Sequence, residues 1–191
     1  ASWTSNVSDP AFYNDNRSNF SVDFGFAPYY RIGNLVWLDT DNDGLAEAGE
    51  PGLSGVTVGL WRGEIGTGFL VATTVTDGAG FYSFENLDAG DYTVHIPGLG
   101  LPAGVTPGGT TRAAGTGAGA DVDNDNNALT DGVISGYGSG LVTLGGGAEP
   151  VNEVNRIGGA DDDTPAEGDG YSNYTVDFGF WPGMRIGNLV W

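Results

Sequence analysis

The sequence predicts an all-β chain folded as a sandwich or a barrel. Three observations predict it. Short runs alternate apolar and polar residues at a period of two, as half-buried strands do. Between them lie turns rich in Gly, Asp and Pro. No segment keeps a 3.6-residue apolar period over ten residues, so no amphipathic helix is expected. Among 191 residues there are 35 Gly and 9 Pro, a content near that of disordered chains, but aromatics at 12% and the clean alternation argue for a packed core.

The elements follow in chain order. The run "VDFGF" at 22–26 alternates and is expected as a strand. "IGNLVWL" at 32–38 is the next, with Ile32, Leu35 or Val36, and Trp37 as core candidates. "GVTVGLW" at 55–61 puts Val56, Val58 and Leu60 on one face. "LVATTVT" at 70–76, "GFYSF" at 80–84 and "DYTVHI" at 91–96 come after it. "GVISGYG" at 132–138 and "GLVTL" at 140–144 are expected as a late hairpin, and "YTVDFGF" at 174–180 as the closing strand. Residues 98–120, rich in Gly, Pro and Thr, are expected as a long surface loop. Strands this short and this closely spaced indicate a sandwich or barrel.

The chain repeats itself. At an offset of 154 residues, "SNFSVDFGFAPYYRIGNLVW" (18–37) lies on "SNYTVDFGFWPGMRIGNLVW" (172–191), with 15 of 20 positions identical. The offset also carries Asp9 onto Asp163 and Asp15 onto Asp169. A 154-residue period is the size of one domain. The organisation expected is a window on a tandem array: 1–30 as the C-terminal end of a preceding repeat, 31–184 as one complete repeat, and 185–191 as the first strand of the next. The alternative is one domain that holds two similar strands.

Charge narrows the partners. The chain has 25 acidic residues, six Arg and no Lys, for a net charge of −19, which argues against nucleic acid and anionic membrane. No apolar run approaches 18 residues, so no membrane span is expected in this window. Cysteine is absent, so no disulfide braces the fold. Ten of the 18 Asp fall within 39–43, 121–131 and 161–163. Carboxylates crowded this way repel one another unless a cation sits among them, whereas a surface adapted to high salt would scatter them.

The strongest motif is "DTDNDGLAEAGE", 39–50, which fits a twelve-residue calcium loop at every position. Asp39, Asp41 and Asp43 hold positions 1, 3 and 5; Gly44 permits the turn at position 6; Leu45 offers its carbonyl at 7; Glu47 stands at 9 and Glu50 at 12. A strand precedes the loop and "PGLSGVTV" follows, so this is loop chemistry on a β-domain rather than a helix–loop–helix hand. The second cluster, 121–131, alternates Asp121, Asp123, Asp125 and Asn127, with Asp131 as a later donor. It lacks the glycine and the closing Glu, and so needs ligands from elsewhere. The third, 161–169, offers Asp161 and Asp163 either to complete the second site or as a solvated turn. Oxygen-rich protein donor sets of this kind suit Ca2+ better than Mg2+, which takes few protein ligands and keeps several waters. Two or more Ca2+ per repeat are expected.

In combination these motifs are similar to a known family. Residues 32–61 resemble the opening of the B domains of bacterial serine–aspartate-repeat surface adhesins: a G-x-x-V-W strand, an acidic loop, and a G-L-x-G-V-x-V strand. "TDGAGFYSFENLDAGDYTVHIP", 76–97, resembles the signature hairpin of the wider collagen-adhesin B-type family, and "DVDNDNNAL" with the late "YTVDFGF" is similar to the tail of the same domains. The resemblance implies a prealbumin/immunoglobulin-like β-sandwich, tandem rod-like arrays stiffened by calcium, and a place outside the cell, on its surface or in a secreted filament. It carries the family's loop acids over to Asp39, Asp41, Asp43 and Glu50. Many relatives lock themselves with a Lys–Asn isopeptide bond; without Lys, that bond cannot form in this chain.

The function expected is structural: a calcium-stabilised tandem repeat of an extracellular stalk, fibre or filament, whose partners are neighbouring repeats or subunits, with strand pairing between subunits as a variant. The alternative is a ligand-binding adhesin domain that takes carbohydrate or a host protein, with Trp3, Trp61 and Trp181 as a contact surface; packing at the joint between repeats explains the same tryptophans. Catalysis is not expected, since the single His, His95, lies in an alternating strand and no Cys, Lys or G-x-S-x-G setting is present. Asn6, Asn19 and Asn173 stand in N-x-S/T sequons.

Overall fold

A computed structural model describes residues 25, 29–98, 101, 125–130, 136–147, 149–150 and 169–182. Among these residues ten strands form two sheets: β1 Tyr30–Leu38, β2 Thr57–Arg62, β3 Phe69–Val75, β4 Phe81–Leu87, β5 Gly90–Pro97, β6 Leu129–Thr130, β7 Gly136–Gly138, β8 Val142–Leu144, β9 Ser172–Asn173 and β10 Phe178–Phe180. One sheet runs β10-β1-β4, with β9 also on β1; the other runs β3-β2-β5-β7-β6, with β8 also on β5. This is an immunoglobulin-like β-sandwich, and among the described residues the one helical element is a 3-10 turn at Asp169–Tyr171.

The period-two pattern sets the core. Val58 and Leu60 of β2, Tyr82 and Phe84 of β4, and Tyr92, Val94 and Ile96 of β5 all turn inward and are buried with Ile32 and Val36 of β1. Phe178 and Phe180 of β10 join the same cluster. The Tyr137 ring meets that of Phe180 edge-on at 5.1 Å, closing the space between the sheets. β1 departs from simple alternation, since Leu35 and Trp37 are buried as well. At Gly33 the backbone of β4 leaves no room for a side chain: a Cβ there would lie 2.3 Å from the Tyr82 carbonyl oxygen.

Four sequence expectations change. The stretch 76–97 is not a hairpin. β4 pairs with β1 and β5 with β2, so the chain crosses between sheets at Asp88–Ala89. That corner is held by Tyr92, whose hydroxyl donates to the Asp88 carbonyl (2.8 Å), and by Arg62, which donates to the Ala89 carbonyl (3.1 Å) and lies 5.5 Å from the Tyr92 ring centroid. Nor is the late pair of runs a hairpin: β7 and β8 lie one after the other along β5, and β7 takes β6 as its other neighbour. Of the closing run 174–180 only Phe178–Phe180 is strand (β10), with the two-residue β9 just before the run; at 177 the Asp177 carboxylate accepts the Leu35 N–H (2.9 Å) where a strand would offer a carbonyl. β1 starts earlier and β4 ends later than the alternation suggests. The expected strand at 22–26 and the loop at 98–120 lie, apart from Gly25 and Leu101, outside the described residues.

The feature that positions the site is the pairing of β1 with β10. It is parallel, with Val36, Trp37 and Leu38 opposite Phe178, Gly179 and Phe180. Tyr30 and Phe180 therefore lie at opposite ends of a nine-residue strand about 30 Å long.

Candidate metal centre

The loop 39–50 begins where β1 ends. Asp39 is fully buried, and its backbone N–H donates to the Phe180 carbonyl (2.9 Å), so the first acid of the loop is tied to the last strand. Its side chain organises the turn: Oδ1 accepts the Asn42 N–H (2.5 Å) and Oδ2 the Gly44 N–H (2.8 Å). Gly44 is at φ 86°, a conformation open to Gly at little cost, as the turn requires. Asp43 caps Leu45 by accepting its N–H at 2.8 Å. One carboxylate oxygen from each of Asp39, Asp41 and Asp43 falls within 4.8 Å of the others.

Glu50 closes the loop in a different way. Its Oε1 accepts the Thr40 N–H (2.5 Å) and hydroxyl (3.2 Å), and its Oε2 accepts the Glu47 N–H (3.2 Å). It therefore joins the two ends of the loop, outside the group of three carboxylates. Leu45 is exposed and forms a β-bridge with Asp125.

That bridge joins the first acidic cluster to the second. Asn126 donates its N–H to the Gly44 carbonyl at 3.1 Å. Asp125 is buried, and its Oδ1 accepts from the Asn127 amide at 3.2 Å. Asn127 faces the last strand: its Oδ1 accepts the Asp177 N–H (2.6 Å) and its N–H donates to the Asp177 carbonyl (2.9 Å). Asp121, Asp123, Asp131, Asp161 and Asp163 lie outside the described residues.

The electrostatics are those of crowded like charges. Desolvation, and then the neighbouring Asp43 charge, push the Asp41 carboxyl above its ordinary value. The charges of Asp43 and then Asp41 do the same to Glu47. Hard oxygens gathered this closely, with protonation favoured by their mutual repulsion, are a donor set that suits a hard cation.

Sequence reasoning overlooked two residues. Asn126 is fully buried, and its Oδ1 accepts both the Ala128 N–H (3.1 Å) and the Gly179 N–H (3.0 Å). Asp177 is fully buried and links β1, the 125–127 segment and the approach to β10. A signal for Asp177 was available, since it recurs as Asp23 in the repeated "VDFGF"; nothing local distinguishes Asn126 from its neighbours. Asn173 is also buried, and its Oδ1 takes the Thr175 hydroxyl at 2.8 Å, so this sequon residue does a structural job.

The fold and the acidic loop together define an all-β sandwich module whose first and last strands are clasped beside a cation-competent turn. The chain belongs to the SdrD B-like domain family, whose model matches residues 30–141. It is 35% identical over 180 residues to serine-aspartate repeat-containing protein D of Staphylococcus aureus strain Newman, covering 93% of this chain and 10% of that protein. It is 39% identical over 118 residues to bone sialoprotein-binding protein of Staphylococcus aureus strain MRSA252, covering 61% of this chain and 9% of that protein. The chain thus spans about a tenth of the length of the curated relatives it matches. Among solved structures, shaft pilin SpaA from Lactobacillus rhamnosus GG aligns with 83% of this chain and 99% of its own, at a TM-score of 0.28 and 12% identity.

Proposed function

We propose that this chain is a calcium-stabilised tandem β-sandwich repeat in an extracellular stalk, fibre or filament. The observation that carries the reading is the parallel β1–β10 pair, whose far end is tied to the acidic loop through the Asp39 N–H and the Phe180 carbonyl. A domain entered at one pole and left at the other can be strung end to end, with tension passing along its terminal strands. The repeat boundaries proposed are 31–184 for one full unit, flanked by the end of one neighbour (1–30) and the start of another (185–191).

Asp39, Asp41 and Asp43, with the Leu45 carbonyl and Glu50, would hold one Ca2+. Asp125 and Asn127, with Asp121, Asp123 and Asp131 and help from Asp161 and Asp163, would hold a second. Bound calcium supplies charge neutralisation; the chain's own residues fix the turn and tie it to β10. The role is mechanical rather than catalytic. Among the described residues no helix is long and apolar enough to cross a membrane.

Thermal unfolding with Ca2+ and then with excess chelator tests this. A ligand bound only by the folded state adds about 2.7 kcal/mol at a hundredfold excess over Kd, a large share of a typical total of about 5–15 kcal/mol. Identical melting curves in the two conditions overturn the calcium reading.

A further inference from the structure

We propose that β3 is a self-pairing edge, through which two copies of this chain join side by side into one continuous sheet. It deepens the fibre reading, on which its biological use rests. β3 ends the order β3-β2-β5-β7-β6, and among the described residues nothing pairs on its outer side. Its row of backbone groups on that side is a template for another strand.

Open edges are ordinarily blunted by Lys, Pro, other charges, short length or a bulge. The other edges are blunted: β4 carries the exposed Glu85 and has Asn86 at φ 57°, while β6 has two residues and β10 three. β3, "FLVATTV", has seven residues and no charge, Pro or Gly. Its apolar side chains are open to solvent: Phe69 62%, Leu70 50%, Val71 44% and Val75 56% exposed. β3 does carry one such device, a bulge opposite Leu60/Trp61 that leaves Val71 as the extra residue, but from Ala72 to Val75 the ladder is regular.

The chemistry selects a second copy as the occupant. At a net charge of −19, most of this chain's surface repels its own copies, and a charge-free strand is where two can approach. A cationic partner strand, which the net charge would favour, finds no carboxylate on β3 to pair with. Within the regular stretch, two β3 strands running antiparallel about Thr73–Thr74 set Ala72 against Val75 and Thr73 against Thr74. These are apolar and β-branched pairs of the kind that stabilise sheets, related by a two-fold axis. A single pair over the four regular residues lies well below the roughly 1,200–2,000 Å2 of a stable interface. One contact is therefore weak, and repeats in series multiply it through effective concentration.

Sedimentation velocity of the 191-residue chain, from about 10 µM to about 1 mM, tests this in both calcium and chelator. Wild type is expected to show a concentration-dependent dimer, with amide exchange in β3 slowing as the dimer forms. Thr73→Lys and, separately, Val75→Lys, both at exposed positions, are expected to weaken association at least about tenfold while the melting temperature of the monomer stays unchanged. A strict monomer throughout that range overturns the proposal. So does a dimer that both lysine variants retain, since another surface would then be responsible. Neither result bears on whether calcium raises the melting temperature, so the two readings fail separately.

Discussion

Replacing Asp39 by Ala separates the loop's architecture from its ion. The side chain accepts two N–H groups, and their surroundings differ. Gly44 is buried, so its N–H loses a partner that water cannot replace, at about 1–3 kcal/mol. Asn42 is exposed, and water takes over its bond at little cost. In chelator the loss is therefore about 1–3 kcal/mol, or about 2–12 °C of melting temperature for a chain of this size. In calcium at a hundredfold excess over Kd, the variant also forfeits the ion's contribution of about 2.7 kcal/mol, a further loss of about 5–11 °C. Differential scanning fluorimetry of both proteins in both buffers reads the four melting points. Asp39→Asn keeps an oxygen for the Gly44 N–H while removing the charge, so it should recover most of the chelator loss and little of the calcium loss. If Asp39→Ala lowers the melting temperature equally in the two buffers, Asp39 holds no ion and the reasoning fails.

Other outcomes follow from the same contacts. Asp41 and Glu47 have folded-state values raised above their unfolded ones, so the ion-free folded state binds more protons than the unfolded state between the two. In chelator their contribution to stability falls as pH rises through the carboxylate range and stays low above it; Asp41→Asn should raise the melting point at neutral pH in chelator and lower it in calcium. Asn126→Ala should cost about 2–3 kcal/mol by denaturant unfolding, because the buried Ala128 N–H and the Gly179 N–H both lose their acceptor. Phe178→Ala empties a fully buried site beside Tyr82 and should cost about 3–5 kcal/mol, read as a lowered urea midpoint with an unchanged slope.

The contrast between loop and sheet shows what could be read locally. Alternation identified β2 with its inward Val58 and Leu60, and β5 as a strand, because which face a side chain takes is decided by its own strand's pleat. The turn at 39–50 was equally legible: Asp39, Asp41, Asp43 and Gly44 act within a dozen residues of chain, and the hydrogen bonds that shape the turn lie within that span. Glu50 was expected as the closing ligand at position 12; in the structure its carboxylate joins the loop's ends.

The rest was decided in three dimensions. Strand pattern reports burial and carries no record of the partner, so β4 and β5, adjacent in sequence, were free to enter different sheets once Tyr92 and Arg62 fixed the corner. The pairing of β1 with β10 joins residues 142 positions apart, as in the bond from Leu35 to Asp177. Its parallel sense puts Tyr30 and Phe180 at opposite poles, and no local period encodes that. By itself the sequence determined an all-β, acidic, repeating chain with a cation-suited turn, because those properties reside in composition and short spacing. Only the tertiary structure set that turn against the last strand, through Asn126 and Asp177, because buried polar groups take whichever partners folding brings within reach.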